Sequence, residues 1–273
     1  MTAESTDTTN PASHSKRQEV RRWVLAVALI LAILCPLYFM IAALGTRFGL
    51  WSWQFSLGTL IRNVGPNLLI ACLLAGVAAL LSAAIIKPRR GFVVAIVAIL
   101  IPVLAFAHLR NVQNTARTLP FIHDITTNTQ DPPVFGPAIL AERRDTDGVN
   151  TVEYAGKRVG GAETPLVSAL QTKSYPEIRT LVLNEKPSDV FERAQKVVRD
   201  LGWSLKDVDA DTGRIDATDT TFWFGFKDDV TIRLRPAQGG GTVVDARSVS
   251  RVGGSDLGAN ADRLKRFLDA MAG

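Results

Sequence analysis

The sequence predicts an α+β protein: three N-terminal transmembrane helices, then a soluble domain with a curved antiparallel sheet packed by two helices. Three observations predict it. The long apolar runs lie before His108, nearly all acidic residues follow it, and the acidic half mixes alternating strand patterns with two amphipathic helical stripes. The expected organisation is a cytoplasmic tail over residues 1–22, a membrane region over 23–109 and an exported domain over 110–273.

Residues 23–45, 67–86 and 91–109 contain no Asp, Glu, Lys or Arg. Each approaches the roughly 20 apolar residues that cross about 30 Å of hydrocarbon as a helix. Pro36 and Pro102 fall inside two of these runs and predict kinks, either static or hinge-like. The first run is too long for a signal-peptide core, and Ala42-Ala43-Leu44-Gly45 is a poor cleavage site, so an uncleaved anchor is expected. Residues 51–57 alternate apolar and polar types around Trp51, Trp53 and Phe55. They suit an interfacial anchor, or alternatively a docking strip for the soluble domain.

Charge sets the orientation. The chain carries a net +5, but nine basic and three acidic residues precede Arg110 while 22 basic and 23 acidic follow from it. The soluble half therefore lacks the basic patch of a nucleic-acid binder. Lys16, Arg17, Arg21 and Arg22 precede the first run, and Lys87, Arg89 and Arg90 join the second to the third. By the positive-inside rule the tail and that turn are cytoplasmic. The expected location is a bacterial inner membrane, with the C-terminal domain in the periplasm. Both cysteines, Cys35 and Cys72, fall in the apolar runs, so no thiolate metal site or disulfide framework is expected.

Residues 110–147 are rich in Asn, Thr, Pro and Asp and read as an irregular connector, and 156–165 as a further surface loop. Regular structure begins near Arg179. A short strand over 179–183 precedes a helix opened by Pro187, with Val190, Phe191, Ala194, Val197, Val198 and Leu201 in one stripe and Gly202 as its stop. Strands follow over 203–208, 214–218, around Val230–Ile232–Leu234, and over 242–251. A terminal helix then carries Leu257, Ala261, Leu264, Leu268 and Met271 on one face, with Phe267 beside them.

Several strings carry a resemblance. They are Ile122–Thr127 with Pro132–Phe135, Gln171 with Tyr175-Pro176, Gly213–Ala217, Phe224–Arg233, Val244–Gly253 and Gly254–Ala261. In this order, over residues 119–270, the chain resembles the domain of unknown function family fourteen ninety-nine (DUF1499). The three-span N-terminus is similar to that of bacterial members. The resemblance implies no activity, cofactor or catalytic residue.

The candidate chemistry lies in that same half. Asp228, Asp229, Arg233, Asp245, Arg247, Arg251 and Asp256 could hold an anion through arginine forks, or form a structural ion-pair network. Asp228 and Asp229 are neighbours on a strand and point to opposite faces, so a paired-carboxylate site needs a bulge there. With few other ligands nearby, no metal and no cofactor are expected. His123-Asp124 offers the soluble half its one candidate base, but Ser248, Ser250 and Ser255 lack a nucleophile elbow. Ser255 or Asp256 suits a helix cap, with Asn260 following it, and the Gly253-Gly254 turn could otherwise form an anion nest. Phe222, Trp223, Phe224 and Phe226 read as a strand whose residues face both sides of the sheet, and they are either core or the best candidate for an apolar binding surface.

The expectation is a non-enzymatic, membrane-integral envelope protein whose exported domain binds a lipid, a cell-wall component or a protein partner. The alternatives are a hydrolase-like enzyme using His123 with Asp228 or Asp229, and a subunit of a larger membrane complex.

Overall fold

The computed structural model describes residues 11–146 and 148–273. Residues 1–10 of the expected tail lie outside them. The chain divides after Val112 into two compact units.

In the first unit, α1 (Pro11–Arg47) is followed by a π-helix (Phe55–Val64), α2 (Gly65–Ile85) and α3 (Phe92–Thr118), which runs through the division. Three helical segments are long and apolar enough to cross a membrane. Small residues let their backbones approach. Ala28, Ala32, Ala79, Ala95 and Ala98 are fully buried in one cluster drawn from all three helices. A Cβ on Gly76 would lie 3.0 Å from the Ala98 carbonyl oxygen, so α2 meets α3 only because that position has no side chain. Arg21 donates to the Ile86 carbonyl at 2.9 Å and also to Pro88, placing its charge at the carbonyl end of α2. Residues 11–22 are already helical, and residues 51–57 form a turn that enters the π-helix. There Trp51 Nε1 and Ser56 Oγ both donate to Ala42 O, at 3.1 and 2.6 Å, folding the segment back on α1.

The second unit holds β1 (Asp124–Thr126), α4 (Pro137–Arg144), α5 (Val167–Ser174), β2 (Leu181–Leu183), α6 (Pro187–Asp200), β3 (Ser204–Asp209), β4 (Arg214–Thr220), β5 (Lys227–Pro236), β6 (Thr242–Ser250) and α7 (Ala259–Ala272). The sheet is antiparallel, ordered β1-β6-β5-β4-β3, with β2 also on β6. β1 pairs with residues 247–249 and β2 with residues 242–244, so the two short strands share one edge of β6 end to end. The sheet is open, with a bulge in β3 between Leu205 and Asp207.

Alternation gives the sheet two unlike faces. Ile215, Ala217, Val230, Ile232, Val244 and Ala246 point toward α6 and α7, whose Val190, Ala194, Val198, Leu264, Phe267 and Met271 complete one buried cluster. The Trp203 and Phe267 rings lie 6.0 Å apart at its centre. The other face carries Asp216, Thr218, Asp229, Thr231, Asp245, Arg247 and Arg251, all buried beneath residues of the segment before α5. That cover corrects the sequence reading. The expected irregular connector contains the end of α3, all of β1 and α4, and α5 follows where no element was assigned. The segment's own backbone is tied down by the sheet edge and by charged side chains, which local periodicity does not record.

Phe267→Ala should destabilise the second unit by about 3–5 kcal/mol, the usual cost of emptying an aromatic site in a packed core. Denaturant unfolding of the full chain, followed by Trp203 fluorescence, measures it.

Candidate functional site

The charged face is built from pairs set by strand register. Thr126 stands opposite Arg247, so Asp124, two residues back on β1, shares its face. Arg247 meets Asp124 with both arms, Nε to Oδ1 and Nη2 to Oδ2, each at 2.9 Å. Its remaining donors go to the Pro133 and Val152 carbonyls at 3.3 and 2.6 Å. The guanidinium carbon lies 5.5 Å from the Phe135 ring centre and 5.3 Å from that of Tyr154. Lys157 also donates to Asp124 Oδ2 at 2.9 Å.

Asp229 gathers a second cluster. It accepts from Arg143 at 2.6 Å, from Thr218 Oγ1 at 2.8 Å, and from Arg251, whose closest contact is 2.8 Å. Arg251 reaches on to Glu142, which Lys206 also holds. These two hydrogen bonds keep the Glu142 carboxyl below its ordinary range. Asp245 forms a third cluster with Arg233 at 3.0 Å, Arg235 at 2.9 Å, and the Thr127 and Thr180 hydroxyls. Asp228 points the other way, as strand alternation requires. It pairs with Arg263 of α7 at 2.6 Å, and Arg263 also holds Asp219. Asn260 completes that end, bonding Ser250 Oγ and the His123 carbonyl. The two adjacent aspartates thus belong to different networks on opposite faces. Among the described residues no three His, Cys, Asp or Glu side chains gather as a metal site.

His123 stands apart from these carboxylates. Its Nδ1 lies 3.2 Å from the Gly254 carbonyl, which fixes the proton on that nitrogen. Its Nε2 is buried without a hydrogen-bond partner. The ring borders a cavity of about 90 Å³ shared with Phe121, Asp124, Lys157, Arg158 and Gly254. Burial first, and the Lys157 ammonium second, push the imidazole pKa below its ordinary 6.5. Neither Asp228 nor Asp229 bonds the ring, so the structure does not join the groups of the hydrolase reading. At the neighbouring turn, Asp256 accepts the Gly258 and Asn260 amides at 2.8 and 3.0 Å. Burial pushes its pKa up. It thereby sets its own negative charge at the N-terminus of α7, where an anion on the preceding turn would have sat.

The aromatic run is not a strand. Residues 221–226 form the tight tip of the β4–β5 hairpin, closed by Thr221 N to Phe226 O at 2.9 Å, with Gly225 at φ +69°. Phe224 and Phe226 stack at 5.2 Å, half-buried, while Phe222 and Trp223 project with 69% and 46% of their surface exposed. Backbone bonds fix where this tip lies within the unit. Ser250 N donates to His123 O, Arg251 N to Lys227 O, and Asp256 N to Ile122 O. The tip, Phe121 (59% exposed) and Leu257 (42% exposed, φ +54°) therefore occupy the end of the sheet where β1 begins.

Of the residues singled out in the sequence, Asp124 meets Arg247, Asp229 meets Arg251, and Arg233 meets Asp245. Sequence reasoning missed Arg143, Glu142, Lys157 and Arg263. Arg263 sits inside the apolar stripe of α7, an interruption that was its one available signal. The family model described as "Protein of unknown function (DUF1499)" matches residues 124–271, just over half of the chain. No curated protein matches the chain.

Replacing Arg247 by Met should cost about 3–5 kcal/mol, because it breaks a buried pair and leaves Asp124 with Lys157 as its one cation. Equilibrium denaturation of the full chain reads that loss. His123 predicts a pH effect. Its folded pKa is lowered, so its contribution to stability is present above the ordinary 6.5 and is lost as pH falls toward the folded value. Comparing thermal midpoints at pH 7.5 and 5.5 should show a steeper fall for the wild type than for His123→Gln.

Proposed function

We propose, for a chain that belongs to the DUF1499 family, the role of a membrane-anchored envelope protein whose second unit is a binding module and not an enzyme. Helices α1–α3 anchor it in a bacterial inner membrane, with the N-terminal tail cytoplasmic and the second unit periplasmic, as the basic residues around the apolar runs support. Among a lipid, a cell-wall component and a protein partner, the lipid surface of its own membrane is the best-supported target.

One observation carries this reading: Phe121, Phe222, Trp223 and Leu257 are all exposed at the same end of the sheet. Such a gathering is unusual on a soluble surface, and tryptophan and phenylalanine favour the membrane–water boundary. Residues 119–123 alone separate α3 from β1. The buried charges argue against catalysis, since Asp228 and Asp229 are each committed to arginine.

The test places an environment-sensitive fluorophore on Phe222→Cys in the full-length protein, reconstituted in liposomes with brominated lipids. A matched label on Asp211→Cys, in the β3–β4 turn at the opposite end of the sheet, is the control. The native cysteines are buried. Quenching and a blue shift at position 222 alone are the expected result. Equal, water-like spectra at both positions refute membrane docking.

A further inference from the structure

The cavity beside His123 has an electrostatic imbalance. Lys157 and Arg247 both bond Asp124, and the three side chains are 9%, 2% and 0% exposed. Among the described residues neither cation bonds a second carboxylate. Two buried positive charges thus share one negative charge, an arrangement that costs free energy unless an anion completes it. Lys157 also donates to the Thr151 carbonyl at 3.1 Å, which leaves its ammonium a third donor. Lys157 and Arg158 both line the cavity of about 90 Å³, with His123 and Asp124. That space admits a few water molecules or one tetrahedral oxyanion.

His123 adds a second requirement. With its proton held toward Gly254, the buried Nε2 presents a lone pair that no protein group satisfies. A bare oxyanion facing it is repelled, whereas a ligand that donates a hydrogen bond there is welcome.

We propose that this cavity is a binding site for a phosphate group bearing or adjoining a hydroxyl, with Lys157 holding the anionic oxygen and His123 Nε2 accepting the hydroxyl hydrogen. Two sources supply this chemistry: free phosphate, and the headgroup of an anionic phospholipid such as phosphatidylglycerol. The headgroup form rests on the membrane docking proposed above, because the cavity opens beside Phe121 at the same apolar end. The phosphate chemistry does not depend on that reading.

The experiment uses the full-length protein in nanodiscs of phosphatidylcholine, with or without phosphatidylglycerol, and titrates inorganic phosphate into the discs that lack phosphatidylglycerol. The readout is the shift of the thermal midpoint. A saturable rise with phosphate in phosphatidylcholine discs identifies a free-phosphate site. A rise with phosphatidylglycerol while inorganic phosphate is inert identifies a headgroup site. In either case Lys157→Met, which leaves Asp124 and Arg247 as a balanced pair, should weaken the apparent affinity about tenfold, the scale of one charge-assisted hydrogen bond. Sulfate, which has no proton to give near neutral pH, should act more weakly than phosphate. No shift with either anion, or equal shifts in wild type and Lys157→Met, overturns the proposal. Should Lys157→Met fail to fold, Val159→Phe, which fills the cavity from its partly buried wall, should abolish the shift instead. A Phe222 label that stays in water while phosphate still binds would remove the docking reading and leave this site standing.

Discussion

Burying a strand on both sides leaves its outward-facing residues with no water to solvate them, and β6 is such a strand. It lies between β5 and the short strands β1 and β2, with α7 on one face and the segment before α5 on the other. Arg247, at 2% exposure, therefore needs a carboxylate, two carbonyls and two aromatic rings within reach. Meeting that need fixes much of the rest. Asp124 must arrive on β1 in one register, Phe135 and Tyr154 must close over the guanidinium, and the Pro133 and Val152 carbonyls must turn inward. The apolar face could tolerate exchange of one aliphatic residue for another, whereas this face tolerates few alternatives. It works as a lock on register more than as a source of net stability.

The same logic separates what was legible in the sequence from what was not. Residues 230–234 announced their faces by alternation, and α6 and α7 announced theirs by helical stripes. The opposition of Arg233 to Asp245 follows once β5 and β6 are paired. By contrast, residues 124–126 form a strand because β6 offers them an open edge, and nothing local marks them as one. Arg143 and Lys157 sit in segments whose polar composition reads as solvent-facing, yet each is drawn under the sheet cover by a buried aspartate. The aromatic run at 222–226 failed in the other direction. Its β-forming residues suggested a strand, but Gly225 permits the positive φ that turns it into a hairpin tip.

Beside its apolar core, the second unit buries a charged face and leaves several large apolar side chains exposed. Among the described residues of the second unit, Asp124, Asp228, Asp229 and Asp245 are each engaged by an arginine. What is left outward at the β1 end is aromatic, and what is left unsatisfied there is a lone pair and a surplus positive charge.

The position of β1 has a further consequence for how the chain is made. β1 follows directly on α3, but its partner is β6, the last strand, and Asp124 meets Arg247 across 123 residues. The first strand of the sheet is synthesised with no partner, and none of its ladder forms until nearly the whole unit has emerged. β2 waits on the same strand. Contacts so distant in sequence are slow to form, and exposed edges are vulnerable while they wait. The sheet of the second unit therefore closes only once β6 has emerged, and a chain cut before β6 would leave both short strands unpaired beside already synthesised membrane-length helices.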